Sequence, residues 1–325
     1  MRIGVIGAGA WGTALAQLAA ARGDDVLLWA REHEVVRAIN RDHENPVYLP
    51  GLSLSPTIRA TALLGDMAGR DALLIVTPAQ HLRGVLAETP VQRTPLILCA
   101  KGIEAQSRRL MSEVAREVHH FAPIAVLSGP TFAHEVAAGL PTAVTLACPD
   151  HALGQQLVDR LAAPSFRPYL SGDVIGAEVG GAVKNVLAIA CGVVEGKRLG
   201  QNARAALISR GFAEMTRFGV AKGARAETLA GLSGLGDLVL TCSSDRSRNF
   251  ALGKAIGEGV PAAKLLAGRH TVAEGAFTAP VLQAAARDLG VDMPVVDAVC
   301  ALLRRGADVD RVIEELLARP LRAEG

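Results

Sequence analysis

The chain has 325 residues, of which 50% are hydrophobic and 20% are charged, so it can form a large core and global disorder is excluded. The 34 Lys and Arg residues nearly balance the 32 Asp and Glu residues, and a net charge of +2 argues against nucleic acid as the main partner. A local basic pocket for a phosphorylated small molecule is still compatible with this balance. The length predicts two domains.

The five cysteines and eight histidines show no disulfide framework and no ligand spacing, so no metal site is predicted. The first strand begins at residue 2, which leaves no room for a signal peptide. The longest apolar stretch is interrupted by Lys184 and Asn185 and is expected to be too short for membrane insertion. We therefore expect a cytoplasmic protein with reduced, buried cysteines: Cys99, Cys148, Cys191, Cys242 and Cys300.

The first thirty residues predict a β-α-β unit. The strand RIGVI is followed by the glycine-rich GAGAWG, the helix TALAQLAAARG and the strand DDVLLWA. Buried strands are also predicted in DALLIVTP, PLILCAKG and PIAVLSGP, with the helices AQHLRGVLAE and SRRLMSEVAREVHH between them. TAVTLAC and HALGQQLVDRLAA predict one more strand and helix. This alternation predicts a Rossmann-like, doubly wound parallel sheet.

The sequence pattern changes near residue 180. Five segments with helical spacing follow, and no convincing strand interrupts them. We therefore predict an α/β domain over residues 1–180 and an all-helical domain over residues 181–325. The cleft between the two domains is the expected place for a ligand site.

Gly7, Gly9 and Gly12 form a G-x-G-x-x-G pattern between the first strand and the first helix. The first glycine permits a tight turn, the second lets the backbone approach a pyrophosphate, and the third lets the helix pack on the strand. The N–H groups at the positive end of the helix then hold the pyrophosphate. In this context the pattern predicts a dinucleotide site rather than a turn without a ligand.

The end of the second strand bears on the choice of cofactor. NAD-specific sites usually place Asp or Glu about 20 residues past the glycines, where the carboxylate bonds the ribose 2′-hydroxyl. Arg31 occupies that region and would favour a 2′-phosphate, unless it is a solvated side chain at the sheet edge. The neighbouring Glu32 leaves NADH as an alternative cofactor, so NAD(H) and NADP(H) are both candidates.

Two lysines are candidates for the chemistry. Lys184 lies in the most apolar helix, and Gly180, Gly181 and Ala188 one turn away would let a ligand approach its face. Burial lowers the pKa of a lysine and suits it to proton transfer, although a lysine that extends its charge to solvent fits the pattern equally well. Lys101 ends a strand at the carboxyl edge of the sheet, where ligands bind, or is an exposed loop lysine.

Polar groups at two predicted helix starts could bind an anion. SGPTFA offers backbone N–H groups and the Thr131 hydroxyl, although a plain helix cap is an equally good explanation. Ser247, Arg248 and Asn249 open another helix, where a hydroxyl, a guanidinium and an amide would hold a phosphate, unless the arginines form a solvated face.

Two carboxylates complete the set of candidates. Asp237 follows the glycine-rich GLSGLG and precedes an apolar run. Glu274 follows a loop and would face the cofactor cleft, or would only interact favourably with a helix dipole.

Eight motifs occur in sequence order up to about residue 280: GAGAWGTALA, HENPVYLPG, AKGIE, SGPTFA, GGAVKNVLAIACG, NARAALISRG, GLSGLGDLVLTC and SRN. Together they resemble the NAD(P)-dependent glycerol-3-phosphate dehydrogenases of the bacterial type. The resemblance implies reversible reduction of dihydroxyacetone phosphate to sn-glycerol 3-phosphate with NADH or NADPH, which supplies phospholipid synthesis. It also implies a homodimer with the helical half as the interface.

The resemblance further implies roles by position. Lys184 is implied as the proton donor or acceptor at the C2 oxygen, oriented by Asp237 and Asn185, with Thr241 near the phosphate. Ala10 stands where many relatives carry Ser, so a side-chain contact to the pyrophosphate is lost while the backbone N–H is kept. The implied substrate contacts are Lys101, Gly129, Thr131, Lys184, Asn185, Asp237, Thr241, Ser247, Arg248 and Asn249. The implied cofactor contacts are Gly7, Gly9, Ala10, Trp11, Gly12, Arg31, Lys101, Ala133, Arg248, Val272 and Glu274.

Two alternatives to this function stay open at the level of sequence. A β-hydroxyacid dehydrogenase also combines a dinucleotide domain with a lysine-bearing helix, but the SRN segment after GLGDL favours a phosphate over a carboxylate. A non-catalytic dinucleotide sensor would leave Lys184 in its apolar helix unexplained.

Overall fold

The structure is a computed structural model that describes residues 1–267 and 273–319. Within these ranges the strands are β1 Arg2–Ile6, β2 Asp25–Trp29, β3 Glu44–Asn45, β4 Leu49–Ser53, β5 Arg59–Thr61, β6 Ala72–Ile75, β7 Leu96–Leu98, β8 Ile124–Ser128, β9 Thr142–Ala147 and β10 Phe166–Ser171. The helices are α1 Ala10–Ala21, α2 His33–Asp42, α3 Leu82–Glu88, α4 Met111–Val118, α5 Ala133–Ala137, α6 His151–Leu161, α7 Val174–Gly196, α8 Gly200–Lys222, α9 Ala226–Leu229, α10 Asp237–Cys242, α11 Arg248–Gly257, α12 Ala262–Leu266, α13 Glu274–Asp288, α14 Pro294–Arg305 and α15 Val309–Leu317. Three short helical turns lie at Leu64–Met67, Ala79–His81 and Leu232–Gly236, the last of them a π-helical turn.

Eight strands form one sheet in the order β10-β9-β8-β7-β6-β1-β2-β5. β1 lies between β2 and β6 and runs parallel to both, with Ile3 opposite Val26 and Ala72. Alternate residues of the strands face two core clusters, one with α1, α2 and α6 and the other with α3 and α4. The sheet is therefore covered on both faces, and the predicted doubly wound fold is confirmed.

The sheet departs from the predicted parallel arrangement at β9, which runs antiparallel to β8 with Val126 opposite Ala147. A parallel neighbour requires a crossover that returns the chain along the length of the sheet. The connection over residues 129–141, which holds the five-residue α5, makes no such crossover, and β9 re-enters from the edge where β8 ends. The sheet is mixed, and the predicted parallel arrangement holds at every pairing of the eight strands except this one.

The strand β10 was not among the predicted elements, and Pro168 stands within it. Proline cannot donate to a β-ladder, which argues against a central strand. In the structure β10 lies at the end of the sheet and pairs with β9 alone, with Phe166 and Pro168 buried. The edge position explains why the proline is tolerated there.

The helical half begins at α7, which starts only a few residues after β10 ends at Ser171. No strand follows Ser171 in the described part of the chain, as predicted. The predicted boundary between residues 180 and 181 falls inside α7, so the helix belongs to the helical half from Val174 onward.

Helix α7 is the core of the helical half. It packs against α8, α10, α11, α13 and α14, and 94% of its most apolar 18-residue stretch is buried in the protein. With 23 residues it is long and apolar enough to cross a membrane, contrary to the expectation of too short a stretch. Burial against the surrounding helices accounts for its hydrophobicity.

Candidate active site

The candidate site lies where the carboxyl ends of several parallel strands meet the helical half. The glycine-rich turn follows β1, Lys101 follows β7 and Gly129 follows β8. The strand order changes direction at β1, between β2 and β6, and ligands of open α/β sheets bind at such a position. Helix α7 brings Lys184 to the same place from the other half of the protein.

The glycine-rich turn has the geometry that a dinucleotide requires. Gly7 has a φ of 117°, a left-handed conformation that favours glycine. A Cβ on Gly12 would lie 1.8 Å from the carbonyl oxygen of Gly7, so only glycine lets α1 begin this close to β1. A Cβ on Gly9 would meet no described atom within 4 Å, which leaves open space before the first N–H groups of α1. These features fit a pyrophosphate held at the helix N-terminus.

Other predicted cofactor residues surround this turn. Ala10 begins α1 and Ala133 begins α5, which packs against α1. The buried Trp11 indole N–H finds no hydrogen-bond partner among the described residues. Arg31 is exposed just after β2, and the Tyr48 hydroxyl donates a 3.3 Å hydrogen bond to Glu32. Val272, also a predicted contact, lies outside the described residues.

Two lysines and one carboxylate form an ionic cluster at the centre of the site. The fully buried Asp237 accepts a hydrogen bond of 2.5 Å from Lys184 Nζ at one oxygen and of 2.6 Å from Lys101 Nζ at the other. Lys184 Nζ also donates to the Thr241 hydroxyl at 2.9 Å, and that hydroxyl donates to the Asp237 carbonyl at 2.6 Å. Lys101 Nζ further donates to the Gly129 carbonyl at 3.2 Å. Each half of the protein thus supplies one cation to one carboxylate.

The electrostatics of this cluster suit Lys184 to proton transfer. Burial lowers the pKa of Lys184 to about 8, while the Asp237 carboxylate raises this pKa and the charge on Lys101 lowers it. Lys184 is 7% exposed, so it does not extend its charge to solvent. Its ammonium group can give up a proton near neutral pH and regain it.

The predicted phosphate residues stand at the start of α11. Ser247 caps this helix, because its hydroxyl accepts the N–H of Phe250 at 3.2 Å, and Arg248 is the exposed first residue. The N-terminus of α11 and the guanidinium of Arg248 together offer donors to an anion. Thr131, the corresponding candidate after β8, donates to the Gly129 carbonyl at 3.3 Å.

Asn249 joins three helices through its side-chain amide. Its amide N–H₂ donates to Asn185 Oδ1 at 2.9 Å, and its amide oxygen accepts the N–H of Gly275 at 2.9 Å. Burial raises the pKa of the neighbouring Glu274, and the charge of Arg248 opposes this rise. The cofactor candidate Glu274 and the phosphate candidate Arg248 therefore lie in one electrostatic environment.

The small residues beside Lys184 contact protein, contrary to the expectation that they admit a ligand. A Cβ on Gly180 would lie 2.2 Å from the Ser233 carbonyl oxygen. A Cβ on Gly181 would lie 3.1 Å from Ser128 Oγ and 3.2 Å from Lys101 Cγ. This side of α7 is filled by the π-helical turn and by the ends of the strands.

The side chains that close the loop after Lys101 were not among the predicted site residues. Glu104 in the AKGIE motif is 7% exposed and accepts two hydrogen bonds of 2.8 Å from Arg83 and one of 2.5 Å from Ser107. These bonds close the loop that follows Lys101. The glutamate of the AKGIE motif could have indicated such a loop, but its arginine partner lies 21 positions away and no sequence pattern links the two.

No group of three or more metal-binding side chains is found in residues 1–267 and 273–319. The lysine-carboxylate cluster described above can position an anionic ligand and exchange a proton with it. A dinucleotide turn at the strand-order reversal, beside a buried lysine-carboxylate cluster, defines a two-domain NAD(P)-dependent dehydrogenase.

Comparison with known proteins specifies which one. The models of the NAD-dependent glycerol-3-phosphate dehydrogenase N-terminus and C-terminus match residues 2–154 and 173–314. The chain is 63% identical over 322 residues to glycerol-3-phosphate dehydrogenase (NAD(P)+) from Erythrobacter litoralis, covering 99% of this chain and 97% of the relative. A crystal structure of glycerol-3-phosphate dehydrogenase from Coxiella burnetii superposes with a TM-score of 0.93 at 39% identity, covering 98% of this chain and 99% of that one.

The chain therefore belongs to the NAD(P)-dependent glycerol-3-phosphate dehydrogenases. The resemblance inferred from the eight motifs is confirmed, as are the enzyme class and the NAD(P) cofactor. A β-hydroxyacid dehydrogenase and a non-catalytic sensor were the alternatives, and the full-length match excludes them as the family of this chain.

Proposed function

We propose that Lys184 exchanges the proton at the C2 oxygen while dihydroxyacetone phosphate and sn-glycerol 3-phosphate interconvert. The observation that carries this proposal is that Lys184 and Lys101 share one buried carboxylate, that of Asp237, at the edge of the sheet where the dinucleotide turn lies. Bound NAD(P)H supplies the hydride that reduces the C2 carbon. As the oxygen gains negative charge, protonated Lys184 donates its proton to it.

Lys101 and Asp237 prepare the site for this transfer. The ammonium group of Lys101 stabilises the developing negative charge on the oxygen before the proton arrives. The carboxylate of Asp237 keeps both ammonium groups at fixed positions and balances one of their charges. Thr241 was expected near the phosphate, but its hydroxyl bonds Lys184, so we assign it to orienting that lysine. Asn185, expected to orient Lys184, instead supports Asn249.

The remaining predicted residues bind the parts of the ligands that do not react. Ser247, Arg248 and Asn249 at the start of α11 hold the phosphate, together with Gly129 and Thr131. The binding energy of the phosphate then positions the carbonyl for reduction. We assign the pyrophosphate to the turn at Gly7, Gly9, Ala10 and Gly12, and the outer parts of the cofactor to Trp11, Arg31, Ala133, Val272 and Glu274.

The likeness to the family also supports a role in the cell. We propose that the enzyme works in the cytoplasm as a homodimer whose helical half forms the interface. Its product would supply the glycerol backbone of membrane phospholipids.

Arg248→Ala is expected to raise the KM for dihydroxyacetone phosphate by about 10- to 100-fold, because charge-assisted hydrogen bonds to phosphate contribute roughly 1.5–3 kcal/mol. Absorbance of the nicotinamide at steady state measures this change, with NADH and NADPH in parallel. Unphosphorylated dihydroxyacetone is the matched substrate, and its low kcat/KM should be the same in both proteins. An unchanged KM for the phosphorylated ketone would place the phosphate elsewhere.

The pH dependence should run in opposite directions for the two reactions. Ketone reduction needs protonated Lys184, so its kcat/KM should fall as the pH rises through about 8. Alcohol oxidation needs the neutral amine, so its kcat/KM should rise over the same range. Both profiles are measured between pH 6 and about 10 at constant ionic strength, since the neighbouring charges of Asp237, Lys101 and Glu274 are salt-sensitive. Profiles that change in the same direction would contradict the assigned role.

A further inference from the structure

Helix α7 and the π-helical turn Leu232–Gly236 meet backbone to backbone at Gly180. A Cβ at this position would lie 2.2 Å from the Ser233 carbonyl oxygen and 2.8 Å from the Gly234 Cα. Both of these atoms belong to the main chain, so the overlap cannot be relieved by rotation of a side chain. Only glycine at position 180 permits this separation between the helix and the turn.

The π-helical turn leads directly into Asp237. The Gly236 N–H closes the turn by donating to the Gly231 carbonyl at 3.0 Å, and Asp237 is the first residue of α10. A Cβ on Gly234 would lie 1.9 Å from the Leu229 carbonyl oxygen, so the turn is also wound tightly on the end of α9. The distance between the turn and α7 therefore fixes the position of the Asp237 carboxylate.

Gly180 and Lys184 lie four residues apart and so share one side of α7. The helix thus contacts the turn through Gly180 and the end of the turn through Lys184, whose Nζ lies 2.5 Å from Asp237 Oδ1. From these contacts we propose that Gly180 is a positioning residue, which holds the turn close enough to α7 for Asp237 to pair with both lysines. This inference rests on the proposed proton transfer by Lys184.

The geometry gives the size of the expected effect. A methyl group at position 180 needs a separation of about 3.5 Å from the Ser233 carbonyl. The turn must then move by about 1 Å, and a displacement of this size in catalytic geometry can lower turnover about 10²-fold. Because Asp237 raises the pKa of Lys184, its withdrawal should also lower that pKa.

Gly180→Ala tests the proposal, with Gly196→Ala as the matched control. Gly196 ends the same helix, and a Cβ there would lie 2.2 Å from the Lys254 carbonyl oxygen on α11. The steric overlap is thus equal, but it lies away from Asp237. We expect Gly180→Ala to lower kcat about 10²-fold and to shift the pH profile of ketone reduction to lower pH, with the Kd for NAD(P)H unchanged. Gly196→Ala should lose thermal stability but keep the wild-type kcat and profile.

Ser233→Gly is measured alongside, because it loosens the turn without adding an atom. The Ser233 hydroxyl is buried and has no hydrogen-bond partner among the described residues, so its removal breaks no bond. We expect a several-fold lower kcat and a shift of the pH profile in the same direction. Wild-type kcat and pH profile in Ser233→Gly would overturn the proposal, even where Gly180→Ala does not fold. Equal losses of kcat in Gly180→Ala and Gly196→Ala would overturn it as well.

Lys184→Ala, assayed in parallel, separates this inference from the role on which it rests. An inactive Lys184→Ala together with a fully active Gly180→Ala would refute the positioning role of Gly180 alone. A fully active Lys184→Ala would refute the proposed proton transfer, and the positioning role with it.

Discussion

Replacing Lys184 by Ala is expected to lower kcat for ketone reduction by about 10²- to 10⁴-fold, the usual contribution of a positioned general acid. Among the described residues, the Lys184 ammonium is the one group of the buried cluster with a pKa of about 8, and the variant lacks it. The Kd for NAD(P)H should change little, because the dinucleotide turn lies in the other half of the protein. Rapid-mixing absorbance gives kcat, and fluorescence titration of the nicotinamide gives the Kd.

Lys184→Arg is the control that keeps the positive charge. Arginine stays protonated at all accessible pH values, so it can bind the substrate but cannot exchange a proton. We expect this variant to keep a lower KM than Lys184→Ala while its kcat stays low. A wild-type kcat in either variant would show that the proton comes from elsewhere.

Asp237→Asn is expected to have a comparably large effect, on both stability and turnover. The amide has the shape of the carboxylate but leaves Lys101 and Lys184 without a counter-charge. Removing one partner of a buried ion pair costs about 3–5 kcal/mol of unfolding free energy. Lys184 is expected to respond by losing its proton at lower pH, so the pH profile of ketone reduction should shift to lower pH.

Urea denaturation at pH 7 measures the loss of stability, and initial rates across pH measure the shift. Asp245→Asn is the matched control, because the exposed Asp245 forms a 3.6 Å surface ion pair with Lys254. Surface pairs contribute about 0–1 kcal/mol, so the control should be nearly as stable as the wild type. A small stability loss in Asp237→Asn, equal to that of the control, would show that the buried cluster does not stabilise the fold.

Local patterns predicted much of the fold. The strand RIGVI and the G-x-G-x-x-G turn identified the β-α-β unit, and the 3.6-residue spacing identified α7, α8, α11, α13 and α14. Two features escaped this reasoning for physical reasons. The direction of β9 depends on the edge of the sheet to which its connection returns, and β10 depends on an edge position that makes Pro168 acceptable.

The candidate site was predicted residue by residue but not as an arrangement. Lys184 and Asp237 are separated by 53 positions, and Lys101 and Asp237 by 136, so no spacing rule relates them. GLSGLG was interpreted as a glycine-rich turn, and in the structure it contains the π-helical turn that leads into Asp237. Gly180 shows the same limit, because the pattern revealed a small residue but not the backbone that it contacts.

The carboxylate shared by two lysines has a consequence for how such an enzyme can change. Lys101 comes from one half of the chain and Lys184 from the other, so the carboxylate that raises the pKa of Lys184 also bonds both halves. A substitution that changes the pKa of Lys184 through Asp237 therefore also changes the bonds between the two halves. A chimera that joins halves from two relatives must keep both lysines in position to bond Asp237. Trade-offs between activity and stability should therefore concentrate at this cluster.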